Sequence, residues 1–124
     1  MSTVYRVVTD TGTASGAGTD ADVYLTLYGD RTVGREQELD NGDDNFENGA
    51  SDTFRVEDDD LGNLVALRIR HNNQGDRAGW FLDRVVVTRE NPPTTEWVFP
   101  CGRWLARDED DGSTDRLLFP TPAP

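Results

Sequence analysis

Short runs in which every second residue is apolar, each closed by a cluster of Gly, Asp or Asn, set the strongest limit on what this chain can fold into. Tyr5 and Val7 flank Arg6, Val23, Leu25 and Leu27 alternate with Tyr24, Thr26 and Tyr28, and Val65, Leu67 and Ile69 alternate with Arg68 and Arg70. A period of two belongs to a strand with one buried and one wet face. No long window keeps an apolar stripe of helical period, so the chain reads as all-β.

Eight short strands account for the pattern. The first covers about residues 4 to 9 and ends at Thr9-Asp10-Thr11-Gly12, and the second carries Val23 to Tyr28 before Gly29-Asp30 turns the chain. Glu36 to Leu39 is a weaker candidate. Phe54 and Val56 mark a strand between an acidic loop at 40 to 52 and the run Glu57-Asp58-Asp59-Asp60, and Val65 to Arg70 follows. Between 80 and 89 the parity changes, with Trp80 and Leu82 in one set and Val85 and Val87 in the other, which predicts a β-bulge at Asp83-Arg84. Trp97 and Phe99 precede Pro100-Cys101-Gly102, and Leu117, Leu118 and Phe119 close the sheet. Strands of this length and spacing build a β-sandwich or a barrel. Trp80 and Trp97, lying within strands, are expected in the core. One domain is expected at residues 1–119, with a flexible Pro-rich tail at 120–124.

Charge excludes whole classes of function. Twenty-four Asp and Glu face twelve Arg and no Lys among 124 residues, a formal charge of -12. Nucleic-acid binding needs a basic face, and here the arginines are outnumbered and scattered. No apolar run approaches the roughly 20 residues that span a bilayer. Met1 to Arg6 lead directly into a strand, without the basic and apolar regions of a secretion signal, so a cytoplasmic location is expected if the chain is complete. Cys101, a lone cysteine, has no partner for an internal disulfide and reads as a small buried hydrophobe.

Three loops concentrate oxygen donors at strand ends: Gly16 to Asp22, Asp40 to Glu47 and His71 to Asp76. Ca²⁺ takes six to eight such oxygens, from carboxylates, amide side chains and backbone carbonyls that Gly-rich turns leave open. Zinc is a poor match for a chain with one His and one Cys. The competing reading is that Asp, Asn and Gly gather there because turns require them. Enzyme chemistry finds no nucleophile elbow, and His71 is the sole imidazole, expected as a solvated residue at a strand end. Asp58 to Asp60 and Asp108 to Asp111 read as solvated surface that keeps the domain soluble.

In order along the chain, Tyr5-Arg6-Val7-Val8-Thr9, Gly18-Thr19-Asp20-Ala21-Asp22-Val23-Tyr24-Leu25, Asn45-Phe46-Glu47-Asn48-Gly49, Asp60-Leu61-Gly62, Trp80-Phe81-Leu82-Asp83-Arg84-Val85-Val86-Val87 and Phe99-Pro100-Cys101-Gly102-Arg103-Trp104-Leu105 resemble the PLAT (LH2) domain. That module occurs in lipoxygenases, pancreatic-type lipases, bacterial alpha-toxins and polycystins. The resemblance implies an eight-stranded antiparallel β-sandwich. It also implies a non-catalytic targeting module that binds Ca²⁺ in loops at one end and docks to protein or lipid. Gly18, Thr19 and Asp20 match the first calcium loop, and Asp44, Asn45 and Glu47 match the second. At a further family site the acidic positions fall on Gly16 and on Ala78 or Gly79, which leaves Asp76 as the nearest carboxylate. Trp104 falls at a position the family uses as a membrane or partner anchor. The loop tips Ser15-Gly16 and Asn73-Gln74-Gly75 lack the aromatic rings that insert into bilayers. Anionic leaflets repel a surface this acidic, so membrane association is expected only peripherally and through calcium. The alternative is a metal-independent protein-interaction module whose acidic loops are solvated turns.

Overall fold

A computed structural model describes residues 3–13, 16–19, 21–40, 46–73, 79–92, 94–107 and 109–121. Among these residues the strands are β1 (Thr3–Thr11), β2 (Val23–Gly29), β3 (Gln37–Glu38), β4 (Ser51–Asp58), β5 (Leu64–His71), β6 (Trp80–Arg89), β7 (Thr95–Leu105) and β8 (Asp115–Leu118). They form two four-stranded antiparallel sheets, ordered β4-β1-β6-β7 and β3-β2-β5-β8. The expected eight-stranded antiparallel β-sandwich is the fold.

Alternation places one residue in two from each strand between the sheets. Tyr5, Val7, Trp80, Leu82, Val85, Val87 and Phe99 from the first sheet meet Val23, Leu25, Leu27, Leu67 and Ile69 from the second in one buried cluster. Trp80 is fully buried, and its indole N–H donates to the Thr11 hydroxyl at 2.8 Å. Trp97 and Cys101 are partly buried against the same cluster. Burial raises the pKa of the Cys101 thiol, which disfavours the reactive thiolate.

The parity change in β6 is a bulge. Asp10 and Thr11 of β1 pair with Arg84 and Leu82, leaving Asp83 as the extra residue, so Leu82 and Val85 both reach the core. A second bulge corrects the expectation for β5. Tyr28 pairs with Ala66 and Gly29 with Leu64, so Val65 is the extra residue and lies 49% exposed, while Leu64 takes the core position. Strand β7 also runs on through Pro100-Cys101-Gly102, where Gly102 adopts φ 65°.

The acidic runs are less solvated than their composition implies. Asp60 pairs with Arg31 and Arg89, and Asp110 and Asp111 pair with Arg103 and Arg116. The Arg116 side chain is 8% exposed and donates from Nε and one terminal nitrogen to the Trp104 carbonyl at 3.1 and 2.6 Å. Its bonds to Asp111, helped by the Ser113 N–H, lower that carboxyl to about 2.

Candidate metal centre

The loop leaving β1 folds back on the start of β6. Gly12 N–H donates to the Phe81 carbonyl and Phe81 N–H to the Ala17 carbonyl, both at 2.9 Å, with Ala17 fully buried. Gly18 and Thr19 then meet the end of the β3–β4 loop. Thr19 N–H donates to the Phe46 carbonyl at 2.9 Å. A Cβ on Gly18 would lie 2.8 Å from the Phe46 carbonyl oxygen, 3.0 Å from the Asn48 nitrogen and 3.2 Å from the Glu47 Cα. Backbone so close to backbone admits only hydrogen as a side chain.

Phe46 sets this junction. Its ring is buried, stacked on Phe54 with centroids 5.5 Å apart and set edgewise on Trp80 at 5.0 Å. Its backbone takes a positive φ of 63°, and its N–H donates to Asp52 Oδ2 at 2.8 Å. An aromatic residue thus pins an acidic loop to the core, at the cost of an unusual backbone conformation. One aromatic inside Asp43-Asp44-Asn45-Phe46-Glu47-Asn48 was the sequence signal for it.

The third loop is tied to the first. Asp22 N–H donates to Asn72 Oδ1 at 3.1 Å, Asn72 Nδ2 donates to Asp22 Oδ2 at 3.0 Å, and Asn72 N–H donates to the Asp22 carbonyl at 3.1 Å. His71, expected in solvent, is 3% exposed. It is the last residue of β5, and the parity that carries Leu67 and Ile69 inward carries it too. Its Nε2 lies 2.6 Å from the Leu105 carbonyl, and its Nδ1 accepts the Asn73 N–H at 3.0 Å. A carbonyl accepts only, so Nε2 carries the proton and the ring is neutral. Burial lowers its pKa further than the Leu105 bond raises it. Asn73, at φ 56°, begins the next loop in a conformation this bond supports.

Of the candidate ligands, Gly18 is brought against the backbone of Glu47, an exposed residue, and Thr19 against the neighbouring Phe46 carbonyl. Asp20, Asp44, Asn45 and Asp76 lie outside the described residues. Among the described residues no three His, Cys, Asp or Glu side chains converge. The residue types nonetheless suit a hard cation, since the two loops together carry carboxylate, amide and hydroxyl oxygens in sequence. Trp104 sits beside this end on the outer face of β7, half-buried, edge-on to Phe81 with centroids 5.4 Å apart.

A family model for the PLAT/LH2 domain matches residues 5–119. The chain belongs to the PLAT/LH2 family. This PLAT domain is 43% identical over 115 residues to lipoxygenase homology domain-containing protein 1 of Mus musculus, covering 93% of the chain and 6% of that protein. It is 35% identical over 118 residues to human polycystin-1-like protein 3, covering 94% of the chain and 7% of the relative. Among solved structures, coral 8R-lipoxygenase superposes with a TM-score of 0.84 at 27% identity, over 97% of this PLAT domain and 17% of the enzyme. Calcium activation of that enzyme is described as acting through a C2-like domain. The chain therefore spans a small fraction of the length of each of these relatives.

Proposed function

We propose that the chain is a non-catalytic, calcium-responsive docking module. In this reading Asp20, Asp44, Asn45 and Glu47 supply side-chain oxygens to Ca²⁺, Gly18 and Thr19 supply backbone carbonyls, and Asp76 is the nearest carboxylate for a second position. The bound cation would neutralise neighbouring carboxylates and bridge to acidic groups on a protein or lipid surface. Trp104, next to the loops, is the candidate anchor in that contact.

The observation that carries this reading is the backbone junction of Gly18 and Thr19 with Phe46 and Asn48. Asp20 follows one side of the junction in sequence, and Asn45 precedes the other. Family membership and the calcium activation of the coral relative support it.

Calorimetric titration with CaCl₂ of chelator-treated protein is the test. Saturable heat and a rise in melting temperature are expected, since a ligand at 100 times its Kd stabilises by about 2.7 kcal/mol. Neither should occur in the Asp20→Ala, Asp44→Ala double variant. No heat and no shift at millimolar calcium would leave the metal-independent module as the better account.

A further inference from the structure

Among the described residues the exposed large hydrophobic side chains are Val33 at 56%, Val65 at 49%, Leu117 at 50% and Phe119 at 61%. They come from three segments far apart in sequence, with Leu117 and Phe119 on the same one. The pairing registers nonetheless place them on one half of one sheet face. Val23, Leu25 and Leu27 of β2 face the core, so Tyr24, Thr26 and Tyr28 face outward. Val33 forms a bridge with Tyr28, Tyr28 pairs with Ala66 of β5, and Leu67 pairs with Leu118 of β8. Directly paired residues share a face. One step past Leu118, Phe119 therefore lies opposite Ala66. Val33, Tyr28, Ala66 and Phe119 make a transverse row, with strands roughly 5 Å apart. The β5 bulge adds Val65 beside Ala66, and Leu117 joins through its pairing with Arg68.

The charges around the row indicate what covers it. Arg68 and Arg70, the cations that β5 contributes to this face, are already matched to Asp115 and Glu36. Arg70 also stacks over the Tyr24 ring at 4.4 Å. Asp30, whose carboxylate accepts the Asn63 N–H two residues before Val65, and Asp58, whose carboxylate lies against Gly34 next to Val33, flank the row on a chain of net charge -12, while Asp60 is already paired with Arg31 and Arg89. A second copy would bring together two such charges, and an anionic leaflet would be repelled. A partner that combines apolar side chains with Lys or Arg matches both the row and its border.

We propose that the outer face of the β3-β2-β5-β8 sheet, centred on Tyr28, Val33, Val65, Leu117 and Phe119, is a docking surface for a basic, aliphatic protein segment. The surface lies away from the calcium loops and works without the cation, so it stands whether or not those loops bind metal.

The experiment is a titration of isotope-labelled protein in chelator with a twelve-residue peptide of alternating Leu and Lys, followed by backbone amide NMR. An alternating Leu and Glu peptide is the control. Shifts at Tyr28, Val33, Val65, Ala66, Leu117 and Phe119 with the basic peptide alone are expected. The uncharged Leu117→Ser, Phe119→Ser double variant should bind at least tenfold more weakly at an unchanged melting temperature, and Val33→Ser should weaken binding from the segment that bridges to Tyr28. Absence of binding, or equal affinity for wild type and both variants, would overturn the proposal, the second result marking simple attraction between opposite charges. It is also overturned if the variants abolish a concentration-dependent dimer, or sedimentation with phosphatidylcholine vesicles, since the face would then belong to a second copy or to a membrane.

Discussion

Two groups of carboxylates, one at each end of the sandwich, are held by different kinds of donor. At the end built from the β2–β3 turn and the β4–β5 loop, Asp60 is bound by Arg31, Arg89 and the Gly62 N–H, while Asp30 accepts the Asn63 N–H. At the opposite end, Asp22 is held by the Asn72 amide and Asp52 by the Phe46 N–H, both neutral donors. A carboxylate matched to Arg has its charge cancelled within the protein. One held by amides keeps its full charge and is oriented at the same time, which is the state a cation site needs. The contrast is between individual carboxylates rather than whole ends, since Asp10, Asp110 and Asp111 near the loop end are matched to Arg84, Arg103 and Arg116, and Asp22 and Asp52 there are held by neutral donors.

The largest expected effect sharpens this contrast through two glycines. A Cβ on Gly29 would lie 1.9 Å from the Leu61 carbonyl oxygen, so Gly29→Ala must displace backbone and should cost about 3 kcal/mol in denaturant unfolding, the top of the overpacking range. Its calcium response should be unchanged in whatever fraction folds. Gly18→Ala meets backbone at 2.8 Å and should cost about 1–3 kcal/mol, but here calcium binding should weaken as well. Equal loss of calcium response in both variants would mean that the two ends are not independent.

Acid should find the loop end first. Unfolded, His71 titrates near 6.5, and its buried form titrates lower. Between those two values the unfolded chain binds a proton that the folded chain refuses. Stability should therefore fall as pH drops below about 6.5, by at most about 1.4 kcal/mol per pH unit. His71→Gln should remove that slope in thermal melts. The lowered carboxyls act in a more acidic window. Asp10 is lowered because the bonds from Arg84 and Ser51 outweigh its burial, and Glu36 and Asp115 are lowered by Arg70 and Arg68. What these three contribute is present above about pH 4 and is lost as pH falls through their lowered values.

The smallest effects compare two arginines that share Asp60. The Arg89 side chain is 18% exposed and its buried Nε has no hydrogen-bond partner among the described residues, whereas Arg31 is 68% exposed. Arg89→Met should cost about 1–2 kcal/mol, because a buried ion-pair bond is lost while the cost of that buried Nε is relieved. Arg31→Met should cost about 0.5 kcal/mol or less. If salt removes both differences equally, the pairs at that end are surface features.

The fold was legible because alternation is local: Tyr5, Val7, Val23, Leu25 and Leu27 declare their faces without knowledge of their partners. The β6 bulge was legible for the same reason, since apolar residues mark both of its parities. In β5 the apolar run Leu64-Val65-Ala66-Leu67 hides the break, and only the pairing with β2 shows which valine is extruded. The loops were legible as oxygen-rich segments, but their mutual contact was not, because a glycine against a carbonyl has no sequence signature. His71 was misread because its exposure depends on a carbonyl of β7, more than thirty residues away.

Strand β1 occupies the interior of its sheet, bonded to β4 on one side and β6 on the other, and to no strand adjacent in sequence. During synthesis, β1, the first strand of this domain to be made, waits for one partner until residue 58 and for the other until residue 89. An assembly that closes such distant pairs folds in milliseconds to seconds rather than microseconds. Until β6 arrives, the apolar side chains of β1 stand open to other chains, and that interval is when this domain is most exposed to misassembly.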